Sequence, residues 1–339
     1  MRWGPTTLWE SPVALAQIIG TGSYAPTQVI TNQELEKTVD TSDAWIVERT
    51  GIKQRRRAAP GEATSDMALA AARQALAMAG TRPEEIDLIV VGTVTADMPM
   101  PSCAALVQAK LGAVNAFAFD VGAACAGALY AMSVAEQFLR TGKVRRALVI
   151  GADLFTRILN WEDRNTCILF GDGAGAMVLA PAEEEGRGIL STHLKTDGTL
   201  SEILAIPGGG SREPMTEEGV RAHRQTVTMN GREVFKCAVR TLTEVTLEGL
   251  RANGLVPSQV DHVIAHQANI RILEAVMHRL EIPLEKCWLN LDKYGNTSAA
   301  SVPLALDEAH RAGRFKRGDV IAMMAIGAGM TWGCSVVRW

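Results

Sequence analysis

Short runs of consecutive apolar residues alternate along this chain with longer stretches in which apolar residues recur at helical spacing. The first half starts with a short strand into a glycine turn, QIIGTG (17–22). Thr31 with Glu34 three residues on forms a capping box and opens a helix. Thr41-Ser42-Asp43 caps a second short helix carrying Trp45 and Arg49. A longer helix starts at Thr64-Ser65 and ends at Gly80. DLIVVGT (87–93) is continuously apolar, as in a strand covered on both faces. Pro101-Ser102 opens another helix, CAALVQAKLG. A strand at 117–120 then leads through small residues into a helix reaching about Leu139. RALVIGAD (146–153) and GAMVLA (175–180) complete the set as buried strands.

The same order then recurs. A helix is predicted from Gly231 to Ala252, closed by Gly254. DHVIAHQ (261–267) matches DLIVVGT in type and place, and DVIAMMAIGAG (319–329) matches ALVIGAD. CWLNLDKYGNTSAAS (287–301) reads as strand, small-residue loop and helix, and GCSVVRW (333–339) as the last strand. Strands alternating with helices imply βαβ units and mixed, mainly parallel sheets. The repetition predicts a duplicated α/β fold, with halves at 17–186 and 187–339 behind an extension of residues 1–16.

Composition narrows the class. At 339 residues and 47% hydrophobic, the chain can bury a large core. A net charge of −3 gives no sign of a nucleic-acid partner. No apolar run reaches membrane-spanning length, so no membrane association is expected. The early Ala14-Leu15-Ala16 follows Glu10 and Pro12 rather than a continuous apolar core, so it is not read as a signal peptide. Six scattered cysteines without C-x-x-C spacing suit a reducing cytosol and imply no metal.

The chemistry centres on Cys125 in FAFDVGAACAGALYAMSVAEQFLR (117–140). A thiol between a strand end and a helix start lies in the helix N-terminal field, which favours the reactive thiolate. In such folds ligands collect beyond the carboxyl ends of the strands. Three groups occupy such ends: Cys125, His266 and Asn296. A cysteine, a histidine and an asparagine also make a papain-like set, but that family carries its cysteine near the mature N-terminus with another signature. FGDGAG (170–175) mimics a dinucleotide loop but precedes a strand, so no nucleotide cofactor is implied.

GTGSYAP (20–26), DTSDAWIVERTGI (40–52), DVGAACAG (120–127), FGDGAGAMVL (170–179), HQAN (266–269), GNTSAAS (295–301) and TWG (331–333) together resemble β-ketoacyl-acyl-carrier-protein synthase III. That family is the initiating condensing enzyme of dissociated fatty-acid synthesis. The likeness runs from about residue 17 to the end. It implies a thiolase-like fold of α-β-α-β-α layers and a cytoplasmic homodimer with no cofactor. Thiolases use a second, late cysteine; Cys334 falls inside the final strand and is not read as that residue.

The resemblance also implies roles. Cys125 takes the acyl group of a short acyl-coenzyme A, acetyl by default. His266 and Asn296 then hold the enolate formed as malonyl-acyl carrier protein loses carbon dioxide. The backbone N–H groups of Cys125 and Ala328 serve the oxyanion of the acyl step. Trp45, Arg49, Arg164 and Asn269 match coenzyme A contacts, and Lys236, Arg271 and Arg279 match a basic surface for the acidic carrier protein. Met100 and Ile326 match acyl-pocket positions that are often aromatic, Met100 being the one that reaches the partner subunit. Two other readings remain: an acyltransferase of secondary metabolism that does not condense, and a non-catalytic acyl-thioester binding protein.

Overall fold

The computed structural model describes residues 15–339. Most of the predicted extension, residues 1–14, lies outside that range. Five strands form the first large sheet: β1 (Ala16–Tyr24), β2 (Leu88–Gly92), β3 (Phe117–Val121), β4 (Ala147–Asp153) and β5 (Gly173–Pro181), in the order β1-β5-β4-β2-β3. Four form the second: β6 (Gly188–Thr196), β7 (His262–Ala265), β8 (Val320–Gly327) and β9 (Thr331–Arg338), in the order β7-β8-β9-β6.

The second order read backwards, β6-β9-β8-β7, repeats the first as far as β2. In both sheets the outer two ladders are antiparallel, and the next is parallel. The first sheet adds a parallel β2–β3 ladder. The sheets are therefore mixed, as expected. They are not mainly parallel: three of the seven ladders are, because β5 and β9 return antiparallel beside their neighbours.

Seven longer helices pack around these sheets among the described residues: α1 (Asp43–Thr50), α2 (Thr64–Ala79), α3 (Cys103–Leu111), α4 (Gly127–Arg140), α5 (Gly231–Ala252), α6 (Ile270–Leu280) and α7 (Ser301–Arg311). Period-two alternation along the strands decides the layers. Leu88 and Val90 of β2 face a core shared with α4, α7 and the inner face of the second sheet. Ile89 and Val91 face the opposite way, onto α2 and α3. Val263 and Ala265 of β7 pack on α5 and α6. The result is α-β-α-β-α, with α4 and α7 as the buried middle layer. That position explains why both helices begin in small residues: each starts where two sheets converge.

Several local signals hold. Thr31 and Glu34 make the reciprocal capping box. Ser42 Oγ accepts the Trp45 N–H (3.2 Å), and Ser102 Oγ accepts the Ala105 N–H (3.2 Å). Gly80 closes α2 in the left-handed conformation. The strand expected at Cys287 is reduced to one parallel bridge with Val263. The buried Gln267 side chain takes the bonds a longer strand would make: its Nε2 donates to the Trp288 carbonyl (2.9 Å), and its Oε1 accepts from the Asn290 N–H (3.1 Å). β6 went unread because its Ser-Thr-His-Leu-Lys-Thr portion is only half-buried. Among the described residues, no helix is long and apolar enough to cross a membrane.

The middle layer depends on backbone contact. A Cβ on Gly151 in β4 would sit 2.0 Å from the Ala299 carbonyl oxygen. Gly151→Ala is therefore expected to cost about 1–3 kcal/mol in urea denaturation. Gly198→Ala, where a Cβ meets open space, should stay within about 0.5 kcal/mol of the unsubstituted protein.

Candidate active site

Two strand-turn-helix junctions meet between the sheets. β3 runs into a single 3-10 turn, Ala124–Ala126, and then α4; Cys125 is the middle residue of that turn. The matching turn, Ser298–Ala300, precedes α7. Each opens with a non-glycine residue in the left-handed region, Ala124 at φ 44 and Ser298 at φ 52. Such backbone is disfavoured for residues with a Cβ and persists only when its surroundings fix it.

Those surroundings are visible. Asn296 Oδ1 accepts the Ser298 N–H (2.9 Å), and Asp153 Oδ2 accepts the Ala299 N–H (3.1 Å). Thr331 Oγ1 donates to the carbonyls of Ala123 and Ala328, both at 3.0 Å, and ties the cysteine loop to the turn between β8 and β9. Gly327 allows this approach, since a Cβ there would fall 2.5 Å from the Cys125 nitrogen.

Cys125, His266 and Asn296 are all buried and line one cavity of about 120 Å³. His266 follows β7, where its N–H bonds to the Met324 carbonyl (2.8 Å). The next residue locks the loop: the Gln267 N–H donates to Ser301 Oγ (2.6 Å). Asn296 follows a short helix, Leu291–Tyr294, with its N–H on the Leu169 carbonyl (2.8 Å). Because Asn296 Oδ1 is taken by Ser298, its NH2 is the end of the amide left for the cavity.

The electrostatics differ from the sequence expectation at the thiol. Burial pushes the Cys125 thiol up to about 12; the Ser298 hydroxyl opposes this and the Asp153 charge adds to it. In the closed chamber desolvation thus outweighs the field of the α4 N-terminus. Burial also lowers His266 to about 4, so the ring is neutral at ordinary pH. Its Nδ1 is buried without a hydrogen-bond partner.

A second cavity, about 160 Å³ and almost wholly apolar, also reaches Cys125. Val94, Phe155, Phe170, Leu204, Val227 and Ala328 are among its walls. Ile326 lines the cavity with His266 instead. Met100 lines neither and is 83% exposed. An outer cleft of about 670 Å³ shares Met229 and Gly231 with the His266 cavity and reaches Asn165.

The remaining sequence-predicted residues are outside the chamber or at its rim. Next to Asn165, Arg164 lies 5.2 Å from the centre of the Trp45 ring, and Arg49 lies 4.7 Å from it. Arg164 also donates to the Asp40 carbonyl (2.6 Å). Asn269 caps α6 through the Arg271 N–H (2.8 Å) and lines the His266 cavity. Lys236, Arg271 and Arg279 are exposed on α5 and α6. Lys236 pairs with Glu233 (2.8 Å), and Arg271 Nε donates to the Glu48 carbonyl (3.2 Å). Sequence reading did not single out Ser298, Asp153 or Gln267. Asp153 carried a usable signal, a carboxylate at the end of an otherwise apolar strand.

The chain is similar to known proteins over nearly its whole length. Two family models match, 3-oxoacyl-[acyl-carrier-protein] synthase III at residues 119–198 and its C-terminal domain at 250–339. The β-ketoacyl-[acyl-carrier-protein] synthase III of Caldanaerobacter subterraneus is 53% identical over 324 residues, covering 96% of this chain and 98% of its own. That of Alkalilimnicola ehrlichii is 52% identical, with 96% and 100% covered. A crystal structure of 3-oxoacyl-[acyl-carrier-protein] synthase III from Aquifex aeolicus superposes with a TM-score of 0.88 at 48% identity, covering 96% of this chain and all of that one. With near-complete coverage at about half identity, and with a thiolase-like layered fold, the chain belongs to the 3-oxoacyl-[acyl-carrier-protein] synthase III family.

Proposed function

We propose that this protein is a β-ketoacyl-[acyl-carrier-protein] synthase III that initiates fatty-acid synthesis by decarboxylative condensation. The observation that carries the reading is the cavity shared by a thiol, a neutral imidazole and an amide. In the first step the Cys125 sulfur attacks the thioester carbon of a short acyl-coenzyme A, with acetyl as the default. A sulfur–carbon bond forms, coenzyme A leaves as its thiolate, and the backbone N–H groups of Cys125 and Ala328 hold the passing oxyanion. Malonyl-acyl carrier protein then binds. As its carbon–carboxylate bond breaks, His266 and the Asn296 amide donate to the thioester carbonyl and hold the enolate charge. The enolate carbon attacks the acyl-cysteine, the carbon–sulfur bond breaks to release 3-oxoacyl-carrier protein, and the Cys125 thiolate takes a proton from water to restore the thiol. Two substrates that use one site in turn give ping-pong kinetics.

Neutral donors matter here. An amide cannot give up its proton at the enolate's expense, and a ring held neutral by burial donates without bringing a full charge into the chamber. Simple acyl transfer and passive binding need neither group, so condensation accounts for more of the site than the two alternatives.

The finer assignments belong to the same proposal. Trp45, Arg49, Arg164 and Asn269 receive coenzyme A, whose adenine suits an indole face and whose phosphates suit guanidinium groups. Lys236, Arg271 and Arg279 steer the acidic carrier protein. The apolar cavity beyond Cys125 and the Ile326 wall hold the acyl chain, and Met100 closes the pocket of a second copy in a homodimer. Halves at 17–186 and 187–339 fit the repeated strand order. Six free, buried cysteines suit the cytoplasm.

Incubation with acetyl-coenzyme A should leave one acetyl group on the Cys125 peptide in mass spectrometry, and Cys125→Ala should carry none. Absence of an adduct with acetyl, longer and branched acyl donors would end the proposal. His266→Ala and Asn296→Ala should still acylate Cys125, yet each should lose about 100- to 1,000-fold in carbon dioxide release from malonyl-carrier protein. Equal loss in both half-reactions would contradict the division of labour.

The neutral ring also predicts a pH effect on folding. Because His266 is depressed to about 4, the unfolded chain binds its proton first as pH falls below about 6.5. Stability should drop between pH 6.5 and 4 by about 3 kcal/mol more than in His266→Gln, as read by urea titrations at each pH.

A further inference from the structure

Ser298 touches the sulfur. Its hydroxyl oxygen lies 3.3 Å from Cys125 Sγ, and the residue is fully buried. Three backbone bonds fix its strained turn: Ser298 N–H to Asn296 Oδ1 (2.9 Å), Ala299 N–H to Asp153 Oδ2 (3.1 Å) and Ala300 N–H to the Thr297 carbonyl (3.1 Å). The hydroxyl is held beside the sulfur by framework, with little freedom left except rotation of its proton.

The hydroxyl's bond runs to the sulfur. The Asp153 carboxyl lies behind the same turn, where its Oδ2 accepts the Ala299 N–H (3.1 Å). Its Oδ1 accepts from Thr93 Oγ1 (3.0 Å), the Val94 N–H (2.9 Å) and Thr95 Oγ1 (2.8 Å). Asp153 makes no ion pair among the described residues; burial raises its pKa, and the Val94, Ala299 and Thr95 bonds oppose that rise. Asp153 on β4 and His266 after β7 are the titratable groups facing the sulfur; the other walls, Leu169, Phe170, Phe155 and Ile326, are apolar.

We propose that Ser298 is a further catalytic residue, a donor whose O–H stays on the Cys125 sulfur when the thiol loses its proton to water. The hydroxyl stabilises the thiolate that attacks the acyl thioester. Asp153 is then a positioning residue with a double effect: it fixes the turn, and its negative charge opposes that of the thiolate. The Asn296 side chain gains a second duty, because its oxygen aims Ser298 while its NH2 faces the cavity. The inference rests on Cys125 being the nucleophile.

The test is the pH profile of Cys125 alkylation by iodoacetamide, located by peptide mapping, in folded full-length variants. Ser298→Gly removes the hydroxyl and suits the left-handed backbone; Ser298→Ala removes it with the strain retained. Both should alkylate about tenfold more slowly at pH 7, with profiles displaced to higher pH. Asp153→Asn should alkylate several-fold faster, since an opposing charge is gone. A Ser298→Gly profile coinciding with that of the unsubstituted protein overturns the inference, and slowing in Ser298→Ala alone assigns the effect to backbone strain and overturns it too. Slower alkylation in a folded Asp153→Asn overturns the opposing effect of the Asp153 charge. Acetylation of Cys125 in the unsubstituted protein is scored separately, so failure of the condensing reading is told apart from failure of the Ser298 assignment.

Discussion

The central constraint is the close backbone packing of two buried turns against the strands beside them. The turn bearing Cys125 and the turn bearing Ser298 each precede a middle-layer helix, and both must fit between two sheets. Gly92, Gly127 and Gly151 make the approach possible: a Cβ on Gly92 would come 2.4 Å from the Gly127 carbonyl carbon. With no side chains between turn and strand, bonds accepted by Asn296 and Asp153 hold the Ser298 turn, and a bond from Thr331 to the Ala123 carbonyl ties the Cys125 turn, in backbone conformations that side chains resist. The sulfur's position therefore follows from packing of the sheets rather than from its own local sequence.

Burial then sets the chemistry. The same enclosure that places the thiol makes its charge costly, raising Cys125 to about 12 and keeping His266 neutral at about 4. For the histidine this suits a donor to a developing negative charge. For the cysteine it creates a need that the helix N-terminus alone does not meet. A hydroxyl 3.3 Å away and a cavity that admits the thioester answer it. The two cavities share Cys125, Phe170 and Leu204; one also carries His266 and the Asn296 amide, and the other is almost wholly apolar.

Duplication explains how one chamber draws on distant parts of the chain. Each sheet offers strand ends of the same geometry, and the two sets diverged in what they carry. The first supplies the thiol after β3 and a carboxylate at the end of β4. The second supplies the imidazole after β7 and the amide ahead of α7. The strand expected at Cys287 gives way to Gln267, whose backbone and side-chain bonds hold the His266 loop and the Asn296 approach in one frame.

Periodicity, caps and small-residue runs were enough to read eight of the nine large-sheet strands, the helices α1 to α5 and α7, the repeated order and the three groups Cys125, His266 and Asn296, since these depend on which residues sit side by side in the chain. The half-polar β6 escaped that reading, and the antiparallel return of β5 and β9 was decided by pairing between strands far apart in sequence. The thiol's raised pKa, the bond from Ser298 to sulfur and the Asp153 charge beneath it were likewise set by tertiary structure alone. Desolvation and hydrogen bonding across 173 residues are properties of an enclosed space, and that space exists only once the two sheets have closed over their middle helices.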